Sequence, residues 1–129
     1  MHFAYTIVYV ADVRAAVAFY ERAFGFAARF VSDEGDYGEL ETGVTTLAFA
    51  SAAMAEANGT PVQLPDPGKP APGIEIAFAT DDVPAAWERA LAAGAVAIAE
   101  PATKPWGQVV SYVRDPFGVL VEICTPMAG

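Results

Sequence analysis

The stretch that decides the fold runs from Lys104 to Pro126 and reads KPWGQVVSYVRDPFGVLVEICTP. Two segments rich in valine, isoleucine and tyrosine flank the tetrapeptide DPFG at 115–118, and such residues favour strands. Pro116 presets φ for a turn and Gly118 accepts a positive φ, so the stretch predicts a β-hairpin. Glu122 lies in the middle of the second strand, where a buried carboxylate requires a cation, a metal or strong hydrogen-bond donors.

The hairpin closes a module whose order of elements occurs twice in the chain. The first half predicts a strand over 3–10, a helix over 13–24 and three further strands up to Ala50. After a stretch rich in glycine and proline, the second half repeats the pattern with a strand over 74–80, a helix from Val83, a strand from Val96 and the hairpin. Internal duplication of this kind predicts two β-α-β-β-β modules.

The modules define the predicted architecture. We expect one α+β domain over residues 1–129, with module 1 at about 1–52, a linker at about 53–73 and module 2 at about 74–126. Two such modules each curl a small mixed sheet, and when they face one another they enclose a cleft. The expected fold is therefore a cupped mixed sheet with helices on its convex side.

Composition excludes several classes of partner. The net charge is −9 and only seven residues are lysine or arginine, too few for a phosphate-binding face, so no nucleic-acid partner is expected. No apolar run is long enough for a membrane helix, and we expect no membrane partner. A single cysteine, Cys124, excludes an internal disulfide and fits a reducing cytoplasm.

The chain resembles the vicinal oxygen chelate superfamily, which includes glyoxalase I, extradiol dioxygenases and bleomycin-resistance proteins. The resemblance rests on the opening strand with Asp12-Val13, the segment FYERAFGF at 19–26, the repeated Asp82-Val83, and Trp106-Gly107 followed by DPFG and Glu122. It covers nearly the whole chain and implies the fold. It also implies a homodimer, but it does not define an activity.

The resemblance implies four positions for metal ligands. They correspond here to Tyr5 and Glu75 in the first strands of the two modules, and to Leu47 and Glu122 in the last strands. Leucine cannot bind a metal, and the only histidine, His2, is expected on the opposite side of its strand. Two carboxylates without an imidazole suit Mg²⁺ or Mn²⁺ better than Zn²⁺ or Fe²⁺. The cofactor is therefore expected to be either none or one divalent metal held by Glu75 and Glu122.

The candidate ligand-binding residues group around the two glutamates. A bulge at Gly118 would place Tyr112 opposite Glu122, and Glu75 from the related strand would point to the same place. Without a metal, repulsion between the glutamates should raise the pKa of one of them, and the pair would bind an amine or act as an acid and base. The whole candidate set is Glu75, Glu122, Tyr5, Trp106, Tyr112, Phe49 and Arg114.

Each candidate also has an ordinary structural interpretation. Glu122 could be satisfied by Tyr112 alone, Glu75 could lie exposed at a strand end, and aromatic residues are more often core than ligand contacts. Arg114 would then pair with Asp115 or a glutamate, and Cys124 would be an inert core thiol.

Two functions compete. The first is a small-molecule-binding protein of glyoxalase/bleomycin-resistance type, with its ligand in the cleft, and the missing imidazoles favour it. The second is a divalent-metal-dependent lyase or isomerase of glyoxalase I type with an altered ligand set. The sequence does not decide whether the protein is an enzyme, and it names no catalytic residue.

Overall fold

The computed structural model describes residues 1–127, which form eight strands and three helices in two compact units. Unit 1 spans Met1–Pro65, and unit 2 begins at Asp66. Each unit contains a β-α-β-β-β module, so the predicted duplication is confirmed. No helix in residues 1–127 is long and apolar enough to span a membrane.

Unit 1 is a four-stranded mixed sheet with two helices. Its elements are β1 (Tyr5–Val10), α1 (Val13–Phe24), β2 (Ala28–Val31), β3 (Tyr37–Leu40), β4 (Thr46–Ser51) and α2 (Ala52–Ala57). The strand order is β1-β4-β3-β2, with β1 parallel to β4 and the other neighbours antiparallel. Helix α2 occupies the first part of the segment that was predicted to be a linker.

Unit 2 repeats this topology. Its elements are β5 (Glu75–Ala79), α3 (Val83–Ala93), β6 (Val96–Thr103), β7 (Val109–Arg114) and β8 (Leu120–Cys124). The strand order is β5-β8-β7-β6, and β5 is parallel to β8. Strand β6 is three residues longer than the predicted strand over 96–100 and pairs with β7 through two register shifts.

The main helices begin and end where the sequence predicts. The side chains of Asp12 and Asp82 accept hydrogen bonds from the N–H groups of Ala15 and Ala85, which satisfies donors that the first helical turn leaves free. Helix α1 ends at Gly25, whose φ of +81° is a left-handed conformation that glycine adopts without steric cost.

The core of unit 1 lies between α1 and one face of its sheet. The rings of Tyr20 and Phe49 are 4.9 Å apart, and both side chains are fully buried. Because side chains alternate along a strand, Leu47 faces the same way as Phe49, whereas Thr46 and Ala48 face the opposite way.

Candidate functional site

Glu122 lies opposite Tyr112 in the β7–β8 ladder, as the hairpin predicts. The Tyr112 hydroxyl donates a hydrogen bond of 2.9 Å to Glu122 Oε1. Burial and the neighbouring Glu122 carboxylate raise the pKa of Tyr112 to about 12, so the phenol stays protonated and remains a donor near neutral pH.

A second carboxyl group lies beside Glu122 in the place where a cation would be expected. Glu75 begins β5, and Ala77 of the same strand pairs with Glu122, so Glu75 and Glu122 are diagonal neighbours on one face of the sheet. Burial raises the pKa of Glu75 above its ordinary value, and repulsion from Glu122 and a side-chain hydrogen bond with it act in the same direction. We call Glu75 and Glu122 the acidic pair.

The thiol of Cys124 continues the same face beyond the acidic pair. Cys124 pairs with Val110, two residues along the ladder from Glu122. Burial and the Glu122 carboxylate raise the pKa of the thiol to about 11, so very little reactive thiolate is present near neutral pH. The interpretation of Cys124 as an unreactive thiol is consistent with this environment.

Arg114 is engaged elsewhere and does not pair with a carboxylate as the sequence suggested. Its Nε donates to the Gly118 carbonyl at 2.9 Å, and its two terminal nitrogens donate to the carbonyls of Asp66 and Pro67 at 2.9 and 3.4 Å. These bonds fasten the first residues of unit 2 to the β7–β8 turn. These contacts give Arg114 a structural role, and its part as a ligand contact stays a prediction.

Trp106 lies in the turn between β6 and β7, as expected for a residue at the rim of a site. Its side chain is 62% exposed, although its indole N–H donates to Gln108 Oε1 at 2.8 Å. Trp106 is thus an exposed aromatic ring on the same unit as the acidic pair.

Two of the candidates, Tyr5 and Phe49, belong to unit 1. Tyr5 is 53% exposed at the start of β1, and its phenol lies near enough to Tyr37 to affect the pKa of Tyr37. Phe49 is buried against Tyr20 on the helix side of the sheet, so it is a core residue and not a ligand contact.

The strand registers also correct the proposed equivalence of Leu47 and Glu122. In unit 2, Glu122 pairs with Ala77 of β5 and Tyr112 of β7. In unit 1, the residue in the corresponding place is Ala48, which pairs with Ile7 of β1 and Glu39 of β3. The paired residues Glu39 and Ala48 are nine positions apart, whereas the equivalent pair Tyr112 and Glu122 is ten positions apart. A shift of one residue moves every side chain to the other face, and this explains the misplacement of both Leu47 and Phe49.

Unit 1 has a polar cluster of its own, which the sequence did not reveal. The buried carboxylate of Glu39 accepts hydrogen bonds from Arg29 at 2.8 Å and from the Tyr37 hydroxyl at 2.7 Å. Arg29 also forms two hydrogen bonds with Glu41 and one with Thr46. The pKa of Glu41 is lowered by its hydrogen bonds to Arg29. A sequence signal existed in Glu39 and Glu41, which alternate on one strand and face a cation on the next.

The donor set of the acidic pair does not fit Zn²⁺ or Fe²⁺. Those ions usually take nitrogen or sulfur ligands in proteins, whereas the acidic pair offers carboxylate oxygens, and the only histidine of the sequence, His2, belongs to unit 1. Within residues 1–127 there is no group of three or more histidine, cysteine, aspartate or glutamate side chains that could hold a metal ion.

The duplicated β-α-β-β-β topology, with a polar site on the sheet of unit 2, defines a two-module α+β protein of the kind that the sequence resembles. The family model of the Glyoxalase/Bleomycin resistance protein/Dioxygenase superfamily matches residues 2–123, and the chain belongs to this superfamily.

Solved structures show the same fold. A glyoxalase-related enzyme from Fulvimarina pelagi is 23% identical and superimposes with a TM-score of 0.82 over 98% of this chain and 88% of that one. A glyoxalase/bleomycin resistance protein/dioxygenase family enzyme from Burkholderia phytofirmans PsJN is 22% identical, with a TM-score of 0.79 over 97% and 98% of the two chains. TioX from Micromonospora sp. ML1 is 23% identical, with a TM-score of 0.72 over 97% and 98%. No curated protein matches the sequence.

Proposed function

We propose that the protein binds a small molecule carrying a positively charged amine, and that the acidic pair of unit 2 holds the amine. The observation that carries this proposal is the placement of Glu75 and Glu122 as diagonal neighbours on one face of the sheet. Partial desolvation, repulsion from Glu122 and a hydrogen bond with it all raise the pKa of Glu75. Two carboxyl groups held together without a compensating cation gain most from a ligand that supplies one.

The neighbouring groups support an ammonium ligand. Tyr112 donates to one oxygen of Glu122, and Glu75 and Glu122 share a side-chain hydrogen bond. An ammonium group would replace the proton in that bond and donate its N–H groups to the two carboxylates. The net charge of −9 also attracts cations to the protein in general. The superfamily includes proteins that bind ligands without transforming them, so the proposed function is binding without catalysis. The homodimer that the family implies forms part of the same proposal.

Binding of n-hexylamine and of its neutral counterpart n-hexanol, measured by calorimetry at pH 7, tests the role of charge. We expect the amine to bind more tightly than the alcohol, and Glu122→Gln to weaken the amine by about tenfold, because hydrogen bonds to charged groups contribute about 1.5–3 kcal/mol. Glu100→Gln is the matched control, since Glu100 is an exposed glutamate on β6 of the same unit. Equal binding of amine and alcohol, or equal losses in the two variants, would refute the proposal.

The alternative function is a divalent-metal-dependent lyase or isomerase of glyoxalase I type. The paired carboxylates are the one feature that favours it, because Mg²⁺ and Mn²⁺ accept oxygen ligands. A ligand that binds only the folded state must raise the melting temperature. Stabilisation by Mn²⁺ that disappears in Glu122→Gln but persists in Glu100→Gln would favour this alternative over amine binding.

A further inference from the structure

A small cavity lies at the end of unit 2 beyond Cys124. Its volume is about 150 Å³, and it is lined by Trp106, Gly107, Gln108, Pro126 and Met127. A cavity of this volume is large enough for a benzene ring. Trp106 and Met127 are both mostly exposed, so large apolar groups border the cavity on the solvent side.

Gln108 fixes the orientation of Trp106. Its Oε1 accepts the indole N–H at 2.8 Å, and its Nε2 donates to the Thr125 carbonyl at 2.8 Å, which ties the indole to the chain that follows β8. The polar atom of the indole is therefore satisfied within the protein, and Trp106 offers incoming molecules only its ring. An exposed ring held in one orientation stacks on another ring with little loss of side-chain entropy.

The same glutamine connects the cavity to the acidic pair. The amide of Gln108 and the carboxylate of Glu122 both interact with the Cys124 thiol, on which they have opposite effects. The Thr125 N–H donates to the Val109 carbonyl, so the segments that continue β7 and β8 stay paired beyond Cys124. Pro126 comes four positions after Glu122, and four positions correspond to roughly 13 Å along a strand.

We infer that this cavity is a subsite for an aromatic ring and that Gln108 is its positioning residue. The inference rests on the proposed function, because the ring would belong to the amine that the acidic pair holds. The ligand class is then an amine with an aromatic group at the far end of a chain of roughly 13 Å.

Two ligand series test the subsite: n-alkylamines and ω-phenylalkylamines of matched chain length. In the wild-type protein we expect the phenyl group to improve affinity by about tenfold once the chain is long enough to reach the cavity. Gln108→Leu should reduce this advantage, taken as the ratio of phenylalkylamine to alkylamine affinity in the same variant, to about twofold. The exposed linker residue Gln63 supplies the control Gln63→Leu, which should keep the full advantage.

A spectroscopic measurement separates positioning from a general structural role. In a Trp87→Phe background, Trp106 is the remaining tryptophan, and Gln108→Leu should lower its fluorescence anisotropy and increase its quenching by iodide. Trp106→Leu, in an exposed turn, is a second variant if Gln108→Leu fails to fold, and it should also remove the phenyl advantage.

The outcomes distinguish the two proposals. If amines bind but a phenyl group gives no advantage at any chain length, the ring subsite is refuted and the proposed function stands. If no amine binds, the proposed function is refuted, and neutral benzyl alcohol then tests the cavity by its effect on Trp106 fluorescence. The absence of any such effect would refute the subsite as well.

Discussion

Both sheets contain a tyrosine bonded to a glutamate, but the charges around the two pairs differ. In unit 1, Glu39 is held by Tyr37 and neutralised by Arg29. In unit 2, Glu122 is held by Tyr112, and its neighbours include the second carboxyl group of Glu75 and the thiol of Cys124. A buried carboxylate with both a cation and a phenol contributes to structure, whereas a repelling pair is suited to a ligand. This difference is the reason why the proposed ligand site is assigned to unit 2 rather than to unit 1.

The largest effect is expected from Arg29→Gln. Glu39 would remain largely buried without its cation, so the free energy of unfolding should fall by several times the change expected for an exposed charge. Urea denaturation measures this loss, and Lys69→Gln, which removes an exposed cation, is the control with an expected change below about 0.5 kcal/mol. Equal losses in the two variants would show that Glu39 does not depend on Arg29.

Gly118→Ala and Gly43→Ala compare equivalent hairpin turns of the two units. Both glycines have positive φ, but a Cβ on Gly118 would lie 3.0 Å from backbone atoms of Asp66 and Pro67, whereas a Cβ on Gly43 meets no described atom within 4 Å. We expect losses of about 2 kcal/mol for Gly118 and about 1 kcal/mol for Gly43 in urea denaturation. A larger loss at Gly43 would contradict the packing of the Asp66 segment on the turn.

Tyr37→Phe and Tyr112→Phe remove the same hydrogen bond from the two pairs. We expect a loss of about 1.5 kcal/mol for Tyr37, because Glu39 is buried, and about 0.5 kcal/mol for Tyr112, because water reaches Glu122. Thermal unfolding measures both losses. The reverse order would mean that Glu122 depends more on its tyrosine hydrogen bond than Glu39 does.

Glu75→Gln should have the smallest effect, and it should be stabilising. The pKa of Glu75 in the folded protein is above its ordinary value of 4.5, so the folded state binds the proton more tightly and stability falls as the pH rises through that window. Glutamine removes this loss. We expect a gain below about 1 kcal/mol at pH 7, since the side chain is exposed, and no gain below pH of about 4. Melting temperatures from pH 4 to 8 measure it, and Glu100→Gln should show no such trend.

The sequence predicted the elements of the fold and much of the unit 2 site. Helix caps, the turn residues 115–118 and the repeat depend on local spacing, so α1, α3 and the hairpin lie where expected. The pairing of Tyr112 with Glu122 followed from the turn alone.

What the sequence did not predict depends on register and on partners distant along the chain. A difference of one residue in register between the β3–β4 and β7–β8 hairpins reversed the faces assigned to Leu47 and Phe49. Arg29 and Arg114 both lie in strands, but one bonds to carboxylates and the other to backbone carbonyls. Only the tertiary structure distinguishes them.

The bonds between Arg114 and the backbone of Asp66 and Pro67 have a consequence for how the chain can be re-engineered. The two sides of the boundary between the units differ. Residues 61–63, before the boundary, are exposed, whereas Asp66 and Pro67, after it, are hydrogen-bonded through their carbonyls to Arg114. We therefore expect new termini or an inserted domain to be tolerated at 61–63 and not at Asp66–Pro67. A circular permutant opened at 61–63 keeps the backbone carbonyls to which Arg114 donates, whereas one opened at Asp66–Pro67 loses these hydrogen bonds.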